Sequence, residues 1–429
     1  MVYTRRSALL SLSAALASAA DWPSFRGPRG GGVADEAPIP AEFDPAAGKN
    51  VIWRADIPGM GHSSPVIAGG RLYLTTAIPE KPTPPFSTKA DEGRDMVPHR
   101  WEVLAWDAAS GKRLWAQTAA SGVPKIRRHG KASHANASPA VDGKHVAVFL
   151  GSEGLFVYDA SGKQLWKQDF GTLTVGLKND LTSEWGWSSS PVLHGSTLVI
   201  QCDTNRDDFV AAYDVRSGKQ LWRSVREEYP SWSTPLIVDS PQGTLVITTS
   251  PRFTRALDIK TGKEMWRFAD ETEVKTPSPV AAHGLIFISG GYPLGRNFFA
   301  LKLDGTLAWR NEKGGPYVPT PIVHGDHLYI ASDNGLLSCY EARTGKQIYR
   351  ERVGTGVSFS ASPVIGDGKL YLGSEDGDMF VFRTGPRYEL LAKIPFGEPL
   401  MATPAIADGT LYVRTVSKLY AIGQRAART

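Results

Sequence analysis

The chain is poor in cysteine and in net charge. Its 429 residues include two cysteines, and the formal net charge is +5. A disulfide-rich scaffold is therefore excluded. Cys202 and Cys339 both lie in apolar stretches, so we expect buried structural thiols. The small charge excess is spread along the chain and does not indicate nucleic acid as a partner.

Long apolar segments are also scarce, and the one at the N-terminus predicts a secretory signal peptide over residues 1–20. Arg5 and Arg6 precede an apolar run from Ala8 to Ala17, which is too short to span a membrane. The arginine pair fits a twin-arginine signal and an ordinary one equally well. Loss of both arginines lowers the charge to +3. We expect a periplasmic or secreted protein with no membrane span and, lacking a nearby cysteine, no lipid anchor.

What the chain does have is a repeated dipeptide. Eight Ser-Pro or Thr-Pro pairs are each followed by a short apolar run. From the third pair onward the prolines stand 41 to 44 residues apart, which is a period typical of solenoids and propellers. The pairs begin at Ser64, Ser138, Ser190, Thr234, Ser278, Thr320, Ser362 and Thr403.

One repeat contains four short strands. Residues 321–350 alternate apolar runs with three turns, one of them Asn334-Gly335, which suits a tight hairpin. Four antiparallel strands make one propeller blade. The last repeat has only three strands, and residues 50–54 offer the missing one. We predict an all-β, eight-bladed β-propeller over residues 50–424, closed by the N-terminal strand around Trp53, with an extended leader at 21–49.

An aromatic residue recurs at one place on the outermost strand. Sequences such as Asp-Val-Arg-Ser-Gly-Lys-Gln-Leu-Trp at 214–222 carry it after a glycine turn. A stacked cofactor needs a single ring, so one ring per repeat indicates packing between blades. The position is expected to pass to Leu391 in the seventh blade. The repeat aromatics are Trp53, Trp115, Trp166, Trp222, Trp266, Trp309 and Tyr349.

Three loops exceed the others in length, and topology places all three on one sector of one face. They are residues 79–100, 118–137 and 171–188. Long loops in a compact domain are commonly functional or disordered. For residues 79–100 the composition favours disorder.

The second long loop is basic. Arg127, Arg128, His129 and His134 suit an anionic or polar ligand, because arginine forks match carboxylates and phosphates. A solvated basic loop is the alternative interpretation. A zinc site on His129 and His134 is not expected, because no cysteine or carboxylate stands at ligand spacing.

Residues just before the Ser-Pro or Thr-Pro pairs should face the central funnel. Aromatic platforms with a few polar groups suit sugars or planar ligands, and packing that plugs the channel is the alternative. No catalytic residue and no metal ligand is assigned. The candidate ligand-binding residues are His62, Arg127, Arg128, His129, His134, Asn136, Trp187 and Trp232.

The tryptophan hairpin and the Ser-Pro strand resemble the PQQ-type repeat of quinoprotein-like eight-bladed propellers, from about residue 50 to 422. One branch, the quinoprotein alcohol dehydrogenases, binds pyrroloquinoline quinone and calcium beneath a disulfide of adjacent cysteines. This chain has no adjacent cysteines, no C-x-x-C-H haem motif and no position matching the catalytic aspartate. The other branch resembles the BamB-type outer-membrane assembly factor, a non-enzymatic scaffold, whose lipoprotein cysteine is missing here.

Residues 21–28, Asp-Trp-Pro-Ser-Phe-Arg-Gly-Pro, look similar to the leader of secreted bacterial PQQ-repeat proteins that bring no known reaction. The first hypothesis is therefore an exported, non-catalytic binding or scaffold protein that holds a protein or glycan on the long-loop face. A quinone-dependent oxidoreductase is the alternative. No cofactor is expected, since no specific residues support pyrroloquinoline quinone with calcium. The sequence leaves the oligomeric state open.

Overall fold

The computed structural model describes residues 21–34, 37–90, 92–177, 180, 182–272, 274–291 and 296–424. The predicted signal peptide lies outside this part of the chain. The described residues form eight four-stranded antiparallel sheets and two 3-10 turns, Pro28–Gly30 and Gly151–Glu153. Among them, no helix has the length and apolar character needed to cross a membrane.

The first four blades each run outward in chain order from the channel. Blade 1 has β2 (Val66–Ala68), β3 (Arg71–Pro79), β4 (His99–Asp107) and β5 (Arg113–Gly122). Blade 2 has β6 (Ala140–Val141), β7 (His145–Phe149), β8 (Leu155–Asp159) and β9 (Gln164–Gln168). Blade 3 has β10 (Val192–His194), β11 (Thr197–Cys202), β12 (Phe209–Asp214) and β13 (Gln220–Val225). Blade 4 has β14 (Leu236–Ser240), β15 (Gly243–Thr249), β16 (Phe253–Asp258) and β17 (Glu264–Ala269).

The remaining blades repeat this order, and the last one also takes up the first strand of the chain. Blade 5 has β18 (Val280–Ala282), β19 (Leu285–Ser289), β20 (Phe298–Lys302) and β21 (Leu307–Asn311). Blade 6 has β22 (Ile322–His324), β23 (His327–Ala331), β24 (Leu336–Glu341) and β25 (Gln347–Arg352). Blade 7 has β26 (Val364–Gly366), β27 (Lys369–Gly373), β28 (Asp378–Arg383) and β29 (Leu390–Pro395). Blade 8 has β30 (Ala405–Ala407), β31 (Thr410–Arg414), β32 (Lys418–Ile422) and β1 (Val51–Asp56).

Closure of the ring rests on β1. This strand pairs antiparallel with β32, with Trp53 opposite Ala421 and Asp56 opposite Lys418. The predicted eight-bladed propeller and its closure by the N-terminal strand are confirmed. Because β1 and β32 lie in one sheet, no blade is left open at the seam.

The repeat tryptophans lie between neighbouring blades. The Trp222 indole N–H donates to the Ile259 carbonyl at 2.8 Å in the next blade, and its ring covers Gly262. Gly262 has φ +70°, and a Cβ there would lie 2.4 Å from the ring. Each such ring therefore ties an outer strand to the following hairpin. The other donor and acceptor residues are Trp53 and Ala108, Trp115 and Ala160, Trp166 and Val215, Trp266 and Leu303, and Trp309 and Ala342.

A β-bulge precedes each aromatic position. Trp222 pairs with Ala212 and Gln220 with Tyr213, so Leu221 is the extra residue. Bulges twist an edge strand and discourage pairing with another sheet. In blade 7 the sequence assignment of Leu391 to the aromatic position is wrong, because Ala392 pairs with Val381 and Leu391 is the bulge residue.

The Ser-Pro and Thr-Pro pairs form a ring around the channel in which seven hydrogen bonds link neighbouring pairs. The backbone N–H of Ser64 donates to Ser138 Oγ at 2.8 Å, and each pair from Ser138 to Ser362 donates to the next hydroxyl oxygen in the same way. From the sequence, these residues indicated only the spacing of the repeat. Their constant hydroxyl was the available signal for this role. The later links run Ser138 to Ser190, Ser190 to Thr234, Thr234 to Ser278, Ser278 to Thr320, Thr320 to Ser362 and Ser362 to Thr403.

The leader crosses the channel from blade 1 to blades 6 and 7. Trp22 is fully buried and bridges Ile67 through reciprocal 2.8 Å backbone bonds. Arg26 donates to the carbonyls of Thr320, Pro321 and Pro363, and its burial lowers the pKa of the guanidinium to about 9. Carbonyl acceptors from two blades thus take the place of a carboxylate partner and hold the leader in position.

Candidate functional site

The central funnel holds a cavity of about 740 Å³ on the side of the long inter-blade loops. Phe25 of the leader lines both this cavity and a second one of about 790 Å³ on the opposite side. The leader therefore separates the two openings of the channel. Of the sequence-predicted residues, His62, His129, Asn136 and Trp232 line the first cavity. The other four do not lie among its lining residues.

Three inter-strand segments surround one side of this cavity, and we name them loop 1 (residues 80–98), loop 2 (123–139) and loop 3 (169–191). The His129 N–H donates to the Trp185 carbonyl at 3.1 Å, which joins loops 2 and 3. Gly93 donates to the Arg128 carbonyl at 3.0 Å, which joins loops 1 and 2. These contacts bring together segments that are far apart in sequence.

A tryptophan pair forms one wall. Trp185 of loop 3 stacks on Trp232 with 5.6 Å between ring centroids, and His129 meets Trp185 edge-on at 5.9 Å. The Trp232 indole N–H donates to the Gly186 carbonyl at 2.8 Å, which fixes its ring. Both indoles are half-buried and line the cavity. The pair offers apolar ring surface to a ligand.

The expectation that Trp187 faces the funnel is corrected. Its ring packs at 4.8 Å against Phe149, and its N–H donates to the Ser189 carbonyl at 2.9 Å. It belongs to the buried cluster between blades 2 and 3. Gly186 adopts φ +81° and turns the chain between the two indoles, so Trp185 takes the wall position. The Trp-Gly-Trp triplet was the signal that sequence analysis missed.

In the predicted basic site, a carboxylate of the protein itself pairs with one of the two arginines. Arg128 is buried, and its Nε donates to both Asp95 oxygens at 2.9 and 3.1 Å. Arg127 is exposed, and its backbone N–H donates to Glu184. Asp95 belongs to loop 1 and is buried, with 4% of its surface exposed. Asp95, the counterion of Arg128, lies in another loop, so no local sequence pattern predicted this pair.

The other predicted polar residues also have internal roles. His134 Nε2 lies 3.2 Å from Asp95 Oδ1, away from the cavity wall. The Asn136 side chain donates to the Trp187 carbonyl at 2.8 Å and accepts from Ser133. Burial and the charges of Arg414 and Arg128 lower the pKa of His62 to about 3, so this imidazole is neutral at pH 7.

Carboxylates in the cavity wall are paired with cations. Lys131 of loop 2 reaches Glu375 of blade 7 at 2.8 Å, and Ser360 donates to the same carboxylate at 2.6 Å. Arg296 contacts Asp333 through two bonds of 3.1 and 3.2 Å. Glu375 and Asp333 are the two carboxylates among the described lining residues. Neither is free to act as a general base without breaking an ion pair.

The family model described as outer membrane protein assembly factor BamB matches residues 99–231, 206–322 and 300–385. The chain belongs to this family. The BamB of Burkholderia pseudomallei (strain K96243) is 33% identical over 117 residues, which cover 27% of this chain and 29% of that relative. Most of the relative's length is therefore outside the match.

Solved structures show the same propeller. BamB from Moraxella catarrhalis superposes with a TM-score of 0.59 at 12% identity, covering 87% of this chain and 99% of that one. The quinohemoprotein alcohol dehydrogenase of Comamonas testosteroni gives a TM-score of 0.65 at 13% identity, covering 96% and 82%. At these identities the likeness establishes the fold of this BamB-family chain and does not distinguish a binding protein from an enzyme.

The dehydrogenase likeness raises the question of a calcium-bound quinone. Calcium takes six to eight oxygen ligands, mostly carboxylates, carbonyls and water. In the described part of the cavity both carboxylates are held by Lys131 or Arg296. The one cluster of three metal-ligating side chains found in the described ranges contains two imidazoles and lies outside the cavity lining. The residues present do not fit calcium with pyrroloquinoline quinone.

Proposed function

We propose that this BamB-family chain is an exported, non-catalytic binding protein that holds its partner at the funnel mouth beside loops 1 to 3. The observation that carries the proposal is the composition of the cavity wall. Its Trp185 and Trp232 rings are available for contact, whereas its described carboxylates are tied into ion pairs. Such a wall suits recognition of a ligand.

A protein is the first candidate partner. The matched family is named for assembly of outer membrane proteins, which supports a protein ligand. Three exposed apolar side chains also lie on this side: Met96 in loop 1, Val123 in loop 2 and Val225 at the end of β13. The other exposed large apolar side chains among the described residues lie on the outer strands. Apolar residues near a cavity mouth are typical of interaction surfaces.

A glycan is the second candidate, and the hydroxyl ring favours it. All eight Ser or Thr residues of the Ser-Pro and Thr-Pro pairs line the cavity. In the seven bonds of the ring, seven of these eight hydroxyl oxygens act as acceptors, so the hydrogen of each of those hydroxyls can donate to a ligand oxygen. Sugars combine ring faces that stack on tryptophan with many hydrogen-bonding oxygens.

Site-specific crosslinking tests the proposed face. A benzophenone amino acid at Lys89, which lines the funnel cavity, is expected to capture the partner in the producing cell, whereas one at His194, which lines the opposite cavity, is not. Combining the Lys89 probe with W185A and W232A should lower capture at least about tenfold, because buried tryptophans dominate many binding energies. Digestion of the product by protease or by glycosidase distinguishes the two partner classes.

Equal capture from both faces, or capture unaffected by the double substitution, would contradict the proposed binding face. Circular dichroism of the W185A/W232A variant serves as the control for folding. If that variant keeps the wild-type spectrum and still captures its partner, the tryptophan wall is not the binding surface.

A further inference from the structure

Three metal-ligand side chains meet where loop 1 approaches loop 2. Asp95 comes from loop 1, His99 is the first residue of β4, and His134 comes from loop 2. His134 Nε2 lies 3.2 Å from Asp95 Oδ1, and His99 Nε2 lies 4.0 Å from Asp95 Oδ2. All three ligand atoms lie within 4.8 Å of one another, and the side chains are largely buried.

The orientation of His99 makes its inner nitrogen available. Its Nδ1 lies 2.7 Å from the Val97 carbonyl, a hydrogen bond in which only the ring nitrogen can donate. The proton is therefore on Nδ1, and in the neutral ring Nε2 carries a lone pair on the side of Asp95. A backbone carbonyl that holds the outer N–H of a histidine is the usual arrangement behind a metal ligand.

We propose that Asp95, His99 and His134 form a binding site for a divalent transition-metal ion of the zinc type. Zinc bonds of about 2.0–2.2 Å place neighbouring tetrahedral ligand atoms roughly 3.3 Å apart. The ligand-atom separations, from 3.2 Å to at most 4.8 Å, require side-chain movements on the order of 1 Å to close around an ion. Two imidazoles and one carboxylate favour zinc over calcium or magnesium, and the fourth position remains for water.

Arg128 shares the carboxylate of this site. Its Nε donates to both Asp95 oxygens, while its Nη1 is held by the carbonyls of His129, Gly130 and Ala132. A carboxylate has about four acceptor positions, so Asp95 can keep this bond and also bind a metal. The charge of Arg128 opposes a cation, and we therefore expect weaker affinity than in a site without it.

A bound ion joins two loops that form the funnel mouth. Loop 1 lines the cavity through Lys89 and loop 2 through Lys131, and both residues are close in sequence to the metal ligands. The metal is thus expected to hold these loops together. The metal site does not depend on the wall formed by Trp185 and Trp232 or on the nature of the partner.

Metal analysis of the purified mature chain tests the site. After treatment with a chelator and dialysis against zinc, wild-type protein should retain one zinc per chain. H134A and H99A, tested singly, should each lower zinc affinity at least about tenfold, since loss of an outer-shell partner alone costs 10–100-fold. The matched control is H129A, which removes an imidazole of the same loop that lies outside the cluster, and it should bind zinc like wild type.

Cobalt(II) provides a second measurement that needs no variant. Cobalt(II) bound in a four-coordinate site of the wild-type chain should give intense visible d–d absorption. Added zinc should abolish this absorption. Failure of the wild-type chain to retain zinc or to develop these bands overturns the proposal. So does an equal loss of zinc in H129A and H134A.

Discussion

Replacing Trp187 with alanine is expected to destabilise the propeller by about 3–5 kcal/mol, the usual cost of removing a buried tryptophan. Its ring packs on Phe149 and closes the apolar cluster between blades 2 and 3. The matched substitution W232A should cost less than about 2 kcal/mol, because that ring is half-buried on the cavity wall. Chemical denaturation of the two variants measures both free energies of unfolding.

The two substitutions are also expected to differ in their effect on partner binding. W232A should weaken partner capture while leaving the fold intact, and W187A should act through stability. Similar destabilisation by both substitutions would place Trp232 in the core. A neutral W187A would show that its ring is not the packing element described above.

Gly218→Ala is expected to be the more damaging of two glycine substitutions in blade 3. Gly218 and Gly195 both have left-handed backbones, with φ +72° and +57°. A Cβ at Gly218 would lie 2.7 Å from the Trp166 ring, whereas a Cβ at Gly195 meets nothing within 4 Å. G195A should therefore cost only the conformational term of about 1–2 kcal/mol, and G218A a further 1–3 kcal/mol or so for overpacking.

The difference between the two variants isolates the contact between the glycine turn and the tryptophan. Thermal or chemical denaturation of each variant and of the wild type measures how much each substitution lowers the free energy of unfolding. Equal destabilisation would mean that the indole shifts at no cost, and the inter-blade contact would then contribute little to stability.

The sequence was sufficient for the architecture because the fold repeats. Blades 1 to 6 each have a left-handed glycine in the turn before the outer strand, so errors in one repeat are corrected by the others. The missing fourth strand of blade 8 identified residues 50–54 as its completion, and the pairing of Trp53 with Ala421 confirms this. The single misplacement, Leu391, arose because a bulge adds one residue that spacing alone does not reveal.

The candidate site was harder to predict from the sequence because it is formed by loops that interrupt the repeat. Nothing in loop 2 shows that Arg128 pairs with Asp95, a residue 33 positions earlier. Likewise Trp185 and Trp187 are the same residue type on either side of Gly186, so the sequence does not distinguish them. Only the turn at Gly186 decides which one lines the funnel. Contacts between loops depend on three-dimensional proximity, for which a single sequence has no periodic signal.

The most direct test of a non-catalytic role is a titration of the purified mature chain with pyrroloquinoline quinone and calcium, followed by dye-linked alcohol oxidation. The ion pairs of Glu375 and Asp333 leave no free carboxylate among the described cavity residues for calcium. We therefore predict neither tight binding nor turnover. Sub-micromolar binding of the quinone together with alcohol oxidation would contradict this account and identify the chain as an oxidoreductase.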